Sequence, residues 1–214
     1  MALHLKWFTF NPFSENTYLL YGDNKDCIIL DPGCANESEE NTILKFIEEK
    51  QLHVSRLILT HAHIDHVLGV RFITSKFKLK LEMHKADLPV YATAGNIAKM
   101  YGIPFNQGPE PEIFLDENTK IEIDGQTLDI FHTPGHSPGS ICIYSKSNSF
   151  IISGDVLFNG SIGRTDLPGG DFDTLSNSIK TKLYLLPDNT RVFSGHGEST
   201  LIGNEKINNP FVTA

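Results

Sequence analysis

Cysteine is scarce in this sequence: Cys27, Cys34 and Cys142 are the only three in 214 residues, an odd number with no CxxC pair. This excludes a disulfide framework and a thiolate metal site, and leaves buried free thiols as the reading. No window approaches ~18 uninterrupted apolar residues, so no segment is suited to span a bilayer. Met1-Ala2-Leu3-His4-Leu5-Lys6 lacks the basic start and apolar stretch of a secretory signal, which makes a cytoplasmic location the expectation. Cationic charge is short as well: 18 Lys and Arg stand against 26 Asp and Glu, a net charge of −8. Such a balance repels phosphate backbones and anionic lipid, so neither nucleic acid nor membrane is expected as a partner. Repeats and low-complexity linkers are missing too. With 40% hydrophobic residues the chain can bury its apolar surface in one core, and residues 1–214 read as a single domain.

What is present is a succession of short apolar runs and amphipathic stretches. Strands are predicted over Leu3–Phe10, Asn16–Tyr21 and Cys27–Leu30, broken by Asn11-Pro12, Gly22-Asp23 and Asp31-Pro32-Gly33. Ile43, Leu44, Phe46 and Ile47 fall at helical spacing within Glu37–Gln51. A continuous apolar strand is expected at Arg56–Thr60, then a helix over Asp65–Lys76, a strand at Lys80–His84 and a helix over Asp87–Tyr101. Period-two alternation runs through Ile113–Thr133, with Asp124-Gly125 as a hairpin turn. Strands at Ser140–Tyr144 and Phe150–Ser153, a helix over Phe172–Leu186 and a strand at Thr190–Ser194 complete the pattern. Strands in runs separated by helices, without strict alternation, point to two mixed β-sheets packed face to face with helices outside, a four-layer α/β sandwich.

Nine histidines are present, and five of them sit in three short motifs flanked by glycine, proline, threonine or aspartate. Thr60-His61-Ala62-His63-Ile64-Asp65-His66 follows the apolar run Leu57–Leu59. Residues two apart on an extended backbone point the same way, so His61 and His63 can face one cation, while Asp65 and His66 open the next helix. A lone histidine there would be a loop residue, and a lone aspartate a helix cap. Three imidazoles and a carboxylate within six residues are poorly explained by packing, and metal ligation is the better account. In Thr133-Pro134-Gly135-His136-Ser137-Pro138-Gly139-Ser140, proline and glycine hold the loop on a tight path around His136. His132, four residues earlier, is read as a supporting residue and not a ligand. Ser153-Gly154-Asp155 and Ser194-Gly195-His196-Gly197 end two further strands.

Either aspartate or histidine at a strand end is commonly a turn residue alone; here four strand ends each deliver a ligand. His61, His63, Asp65, His66, His136, Asp155 and His196 are too many for one tetrahedral ion and suit two divalent ions sharing a carboxylate. Imidazole and carboxylate without thiolate fit zinc, iron or manganese, and the residue types do not choose among them; two zinc ions are the expectation.

Taken in order, His61-Ala62-His63-Ile64-Asp65-His66, Thr133-Pro134-Gly135-His136, Ser153-Gly154-Asp155 and Gly195-His196-Gly197 resemble the metallo-β-lactamase superfamily, and within it the glyoxalase II-like hydrolases, over nearly the whole chain. Asn16-Thr17-Tyr18 and Asp31-Pro32-Gly33 resemble the amino-terminal pattern of the same group. The resemblance implies an αβ/βα sandwich with a dinuclear site at one edge. It implies His61, His63 and His136 as ligands of a first ion, Asp65, His66 and His196 as ligands of a second, and Asp155 as the bridging carboxylate. Gly160-Ser161-Ile162-Gly163-Arg164-Thr165-Asp166 matches the region where such hydrolases hold a basic residue facing the substrate, so Arg164 is the candidate anion contact, with Asp166 as its partner. The added helical domain that glyoxalase II enzymes carry after the last histidine has no counterpart in the short stretch beyond His196, and it supplies much of their glutathione contact.

A pair of such ions lowers the pKa of a shared water toward about 7, which makes a bridging hydroxide the nucleophile, and Asp65 is suited to orient the water or take its proton. A thiol with a pKa of about 8.5 leaves as thiolate unaided, whereas an amide nitrogen needs an acid that the motifs do not supply. Hydrolysis of a small-molecule thioester such as S-lactoylglutathione is therefore placed first, lactone opening second, and β-lactam or peptide cleavage lower. The rivals are a mononuclear iron persulfide dioxygenase of the same superfamily and, from another class, a non-catalytic metal or redox module. Tyr91, Met100, Tyr101 and Phe105, on the stretch expected to roof the pocket, are read as packing residues. The residues leave the oligomeric state open.

Overall fold

The computed structural model describes residues 2–213; Met1, where the amino-terminal reading begins, and Ala214 lie outside them. Two mixed six-stranded sheets form the centre. The first takes β1 (Leu3–Phe10), β2 (Glu15–Gly22), β3 (Asp26–Leu30), β4 (His53–Ile58), β5 (Leu81–Met83) and β6 (Ile113–Phe114) in chain order. Its first three strands are antiparallel and the rest parallel. The second sheet has β7 (Lys120–Ile123), β8 (Gln126–His132), β9 (Ile141–Ser145) and β10 (Phe150–Gly154) as an antiparallel run. A small hairpin, β11 (Leu157–Phe158) and β12 (Ser161–Ile162), stands apart. The second sheet closes with β13 (Arg191–Ser194), parallel to β10, and β14 (Thr200–Leu201) at the edge.

Strand alternation divides the apolar residues into three layers. Along β3, Cys27 and Ile29 point one way and Ile28 and Leu30 the other; along β9, Ile141 and Ile143 oppose Cys142 and Tyr144. Ile28, Leu30, Ile141 and Ile143 meet in the middle layer between the sheets. Outside the first sheet, Cys27 and Ile29 pack with Ile43 and Ile47 of α1 (Glu37–Lys50), Ile73 of α3 (Val70–Phe77) and Ala94 and Ala98 of α4 (Leu88–Tyr101). Outside the second, Cys142 and Tyr144 pack with Leu175 of α5 (Phe172–Ser178) and Ile202 of α6 (Ile202–Asn208). This is the expected four-layer αβ/βα sandwich. Among the described residues no helix is long and apolar enough to cross a membrane.

The differences from expectation have physical causes. The strand expected at Arg56–Thr60 runs from His53 to Ile58. Its polar start, His53, Ser55 and Arg56, hides it from a search for apolar runs, and Thr60 leaves the ladder because the Asp31 carboxylate takes its N–H at 2.6 Å. The helix expected over Asp65–Lys76 is two pieces, α2 (Ile64–Val67) and α3, because the Gly69 N–H bonds Pro32 O at 2.7 Å. The helix expected to reach Leu186 is α-helical only to Ser178 and continues as a wider π turn over Ile179–Leu183. That turn still buries Ile179 and Leu183 beside Leu175. The β11–β12 hairpin, β14 and α6 are too short to carry a periodic signal.

Candidate metal centre

All four motifs meet at one edge of the sandwich. β8 and β10 run in the same direction because each is antiparallel to β9, and β13 is parallel to β10, so the loops after all three strands emerge together. The loop after β4 joins them from the other sheet through the Ile141 N–H, which bonds Thr60 O at 2.9 Å. Gly195 N bonds Gly154 O at 2.8 Å, setting His196 beside Asp155.

Three donor trios result among the described residues, two of them matching the expected ligand sets and a third, fully buried one joining Asp31 to His61 and His66. One nitrogen each of His61, His63 and His136 form the first, and single atoms of Asp65, His66 and His196 the second, each trio lying within 4.8 Å. In the first, His63 Nδ1 stands 2.8 Å and His61 Nε2 3.2 Å from His136 Nε2. Asp155 faces both: Oδ1 lies 3.4 Å from His66 Nε2, and Oδ2 lies 3.5 Å from His136 Nε2 and 3.4 Å from His196 Nε2. Asp65 Oδ2 is 3.1 Å from His196 Nε2. Every sequence-predicted ligand is thus brought together, while His132 stays apart, stacked on His84 with its Nε2–H directed to Pro138 O at 2.9 Å.

The outer nitrogens decide how the inner ones are presented. His136 Nδ1–H donates to Arg164 O at 2.8 Å and His196 Nδ1–H to Phe13 O at 3.0 Å, so each turns its Nε2 inward. Burial, reinforced by the neighbouring His136, pushes His63 down to about 3, which favours the neutral form that metal binding requires. Burial also opposes charge on Asp155, but His66 and His196 outweigh it and hold the carboxyl well below the usual range. Burial opposes charge on His196, yet the hydrogen bonds that its Nε2–H donates to Asp155 and Asp65 lift its pKa to about 10. Burial likewise opposes charge on Asp65, but His66 and His196 hold it below the usual range, so two carboxylates that favour the ionised form stand among these imidazoles, a donor set suited to a cation.

The donor set fits divalent ions on a second ground. His66 Nε2 and Asp155 Oδ1 are buried and make no hydrogen bond, an arrangement that is costly unless a ligand completes it. The crowding leaves no room for a side chain at Gly195, where a Cβ would collide with Asp155 Oδ1 and stand 2.7 Å from His66 Cε1.

Residues without a role from sequence explain how the loops are held. Asp31 accepts from Thr60 Oγ1–H at 2.6 Å and lies 3.2 Å from His66 Nδ1. Asn16 donates to Ser194 O at 3.1 Å and Gly197 O at 3.0 Å, and Tyr18 Oη–H donates to Ser194 O at 2.6 Å, stapling the His196 loop to the first sheet. At the mouth, Arg164 and Asp166 form a two-bond pair of 2.7 and 2.6 Å, with the guanidinium more than half exposed. Of the aromatic and methionine positions expected to pack, Tyr91 is buried, but Met100 and Tyr101 are 77% and 53% exposed, and Tyr101 stacks edge-on against Phe13 at 5.3 Å. They sit at the carboxyl end of α4, where the helix leaves the core.

A sandwich of this topology with histidine and aspartate trios at one edge defines a metallo-hydrolase class. The family model for the metallo-beta-lactamase superfamily matches residues 10–196, and the chain belongs to that superfamily. It is 36% identical over 204 residues to hydroxyacylglutathione hydrolase GloC of Haemophilus influenzae, covering 94% of each chain. Two solved structures are similar over almost their whole length. One is the BLEG-1 B3 metallo-beta-lactamase, with a TM-score of 0.89, 36% identity and coverage of 99% of this chain and 100% of that one. The other is TTHA1623 in a di-iron-bound form, with a TM-score of 0.86, 37% identity and coverage of 97% and 100%.

Proposed function

We propose that residues 1–214 act as one cytoplasmic, dinuclear metal-dependent hydrolase of small thioesters such as S-lactoylglutathione. The observation that carries this reading is the position of Asp155, whose two oxygens face both donor trios at 3.4–3.5 Å. His61, His63 and His136 would hold one ion and Asp65, His66 and His196 the other, with Asp155 available to both. Zinc suits the donors first, and iron or manganese also fits them; the di-iron-bound state of TTHA1623 is that of a protein 37% identical. When bound, two such ions supply a water acidified toward neutrality and positive charge against a developing oxyanion.

The chain's own residues do the rest. Phe13 O and Arg164 O fix the rings of His196 and His136. Asp65 stands partly exposed at the inner face of the second trio, placed to orient the attacking water and to receive its proton. Arg164, open at the mouth, meets an anionic substituent of the substrate. A thiolate leaves without protonation, which matches a centre whose motifs contain no separate acid. The relative named hydroxyacylglutathione hydrolase is matched over 94% of its own length, so a chain of this extent is compatible with that substrate class.

The test is steady-state turnover by metal-loaded protein of S-lactoylglutathione and simpler thioesters, with a lactone and a cephalosporin alongside. Thioester turnover abolished in Asp155→Ala is expected. No turnover, or turnover indifferent to Asp155→Ala, rejects the reading. A single iron per chain with persulfide-dependent oxygen uptake replaces it with the dioxygenase.

A further inference from the structure

Asp87 is fully buried, belongs to none of the four motifs and, among the described residues, forms no ion pair, His136 being the imidazole whose charge bears on it. It ends a single 3-10 turn, Lys85–Asp87, and occupies the N-cap of α4. An aspartate there ordinarily accepts a hydrogen bond from the first turn of its own helix, worth about 1 kcal/mol. Asp87 makes no such bond. Its carboxylate is turned into the sandwich edge, where Oδ2 accepts from the Ala62 N–H at 2.7 Å. Oδ1 accepts from Ser137 Oγ–H at 2.6 Å and from the Gly139 N–H at 2.5 Å.

The identity of these three donors matters. Ala62 lies between His61 and His63, while Ser137 and Gly139 follow His136. One carboxylate therefore clamps the two loops, from opposite sheets, that deliver all three imidazoles of the first trio. Hydrogen bonds to an ionised acceptor are about twice as strong as neutral ones, and here solvent is excluded from all three. The approach is so close that Gly139 admits no side chain: a Cβ would stand 2.6 Å from Asp87 N and 2.8 Å from Oδ1.

We infer that Asp87 is a positioning residue that sets the spacing of His61, His63 and His136, and with it the affinity of the first ion, without touching ion or substrate. The inference rests on the dinuclear reading above. Asp87→Asn keeps the shape but replaces one oxygen by an amide NH2, which then faces the N–H of Ala62 or the donors of Ser137 and Gly139, so one loop is released.

Stepwise Zn2+ and Co2+ titrations in competition with a chelator test it, the Co2+ absorption being read at each step. His136→Ala and His196→Ala mark which step belongs to which trio. Asp87→Asn is expected to weaken the first ion about 10–100-fold, the range for lost outer-sphere partners, and to leave the second unchanged. Ser137→Ala, which removes one donor and keeps the carboxylate, is expected to give a smaller loss at the same site, and it carries the test should Asp87→Asn not fold. Glu82→Gln alters another buried carboxylate, paired with Arg56 at 2.6 and 2.9 Å, and controls for general destabilisation. It should lower the urea midpoint and leave both affinities alone. A wild-type protein that binds two ions, with variants that hold the first equally tightly or lose both in parallel, overturns the role of Asp87. A wild-type protein that binds neither ion overturns the dinuclear reading, and this role with it.

Discussion

At the scale of single residues, the centre depends on a missing side chain as much as on the seven donors. Gly195 lets Asp155 and His66 approach where any Cβ would collide. Gly195→Ala is expected to reduce retained metal and lower ion affinity about 10–100-fold, as for other changes that misplace ligands, checked by elemental analysis after dialysis. Two ions retained at wild-type affinity would show that the edge can relax around the methyl. Arg164 poses a different question, because its guanidinium is already paired with Asp166 and more than half exposed. If it meets a substrate anion, Arg164→Ala raises KM for S-lactoylglutathione about tenfold with kcat little changed, the pattern of lost uniform binding. A neutral thioester should be indifferent to the change. Equal effects on both substrates would reduce Arg164 to a brace for the loop whose carbonyl orients His136.

At the scale of elements, α4 is an anchor. It buries Tyr91, Ala94 and Ala98 on one face, ends at Gly102 in a left-handed turn, and carries Gly95 in its interior, where a Cβ would meet nothing within 4 Å. Glycine at such a position forfeits helix propensity without a packing reason. Gly95→Ala is expected to stabilise the fold by about 0.5–1 kcal/mol, visible as a higher urea midpoint with unchanged metal content; a lower midpoint would mean that the helix must flex there. α6 shows the converse. Its seven residues are held less by propensity than by buried Glu205, which accepts from Thr200 Oγ1–H at 2.6 Å, Asn209 Nδ2 at 2.8 Å and the Gly160 N–H at 3.1 Å. Through the last of these the carboxyl-terminal helix holds the β11–β12 hairpin, just before the segment carrying Arg164.

At the scale of the whole molecule, the two outer apolar layers enclose all three cysteines. Burial raises each thiol pKa, that of Cys142 to about 12. In the unfolded chain a thiol ionises near 8.5. Above that pH the unfolded state has shed protons that the folded state keeps, so stability is complete below about 8.5 and declines as pH climbs toward 12. The urea midpoint should fall from neutral pH to about pH 10, less steeply in Cys142→Ala, and thiol reagents should label the native protein slowly. A flat profile with rapid labelling would place the thiols in contact with solvent.

The division between sequence and tertiary structure follows from the range of the forces involved. Alternation within a strand is local, so β3 and β9 could be read as two-faced, and Asp124-Gly125 could be read as a turn; both residues indeed have positive φ, 48° and 70°. The candidate ligands could be picked out because His61, His63, Asp65 and His66 crowd into six residues and glycine frames His136, Asp155 and His196. The supports could not. Asp31 and Thr60, Asn16 and Ser194, or Asp87 and Ala62 are far apart along the chain, and nothing local distinguishes Asp87 from an ordinary helix cap. Only the packing of the two sheets, which brings the loop after β4 against the loops after β8, β10 and β13, decides which carboxylates hold loops in place and which join the histidine cluster.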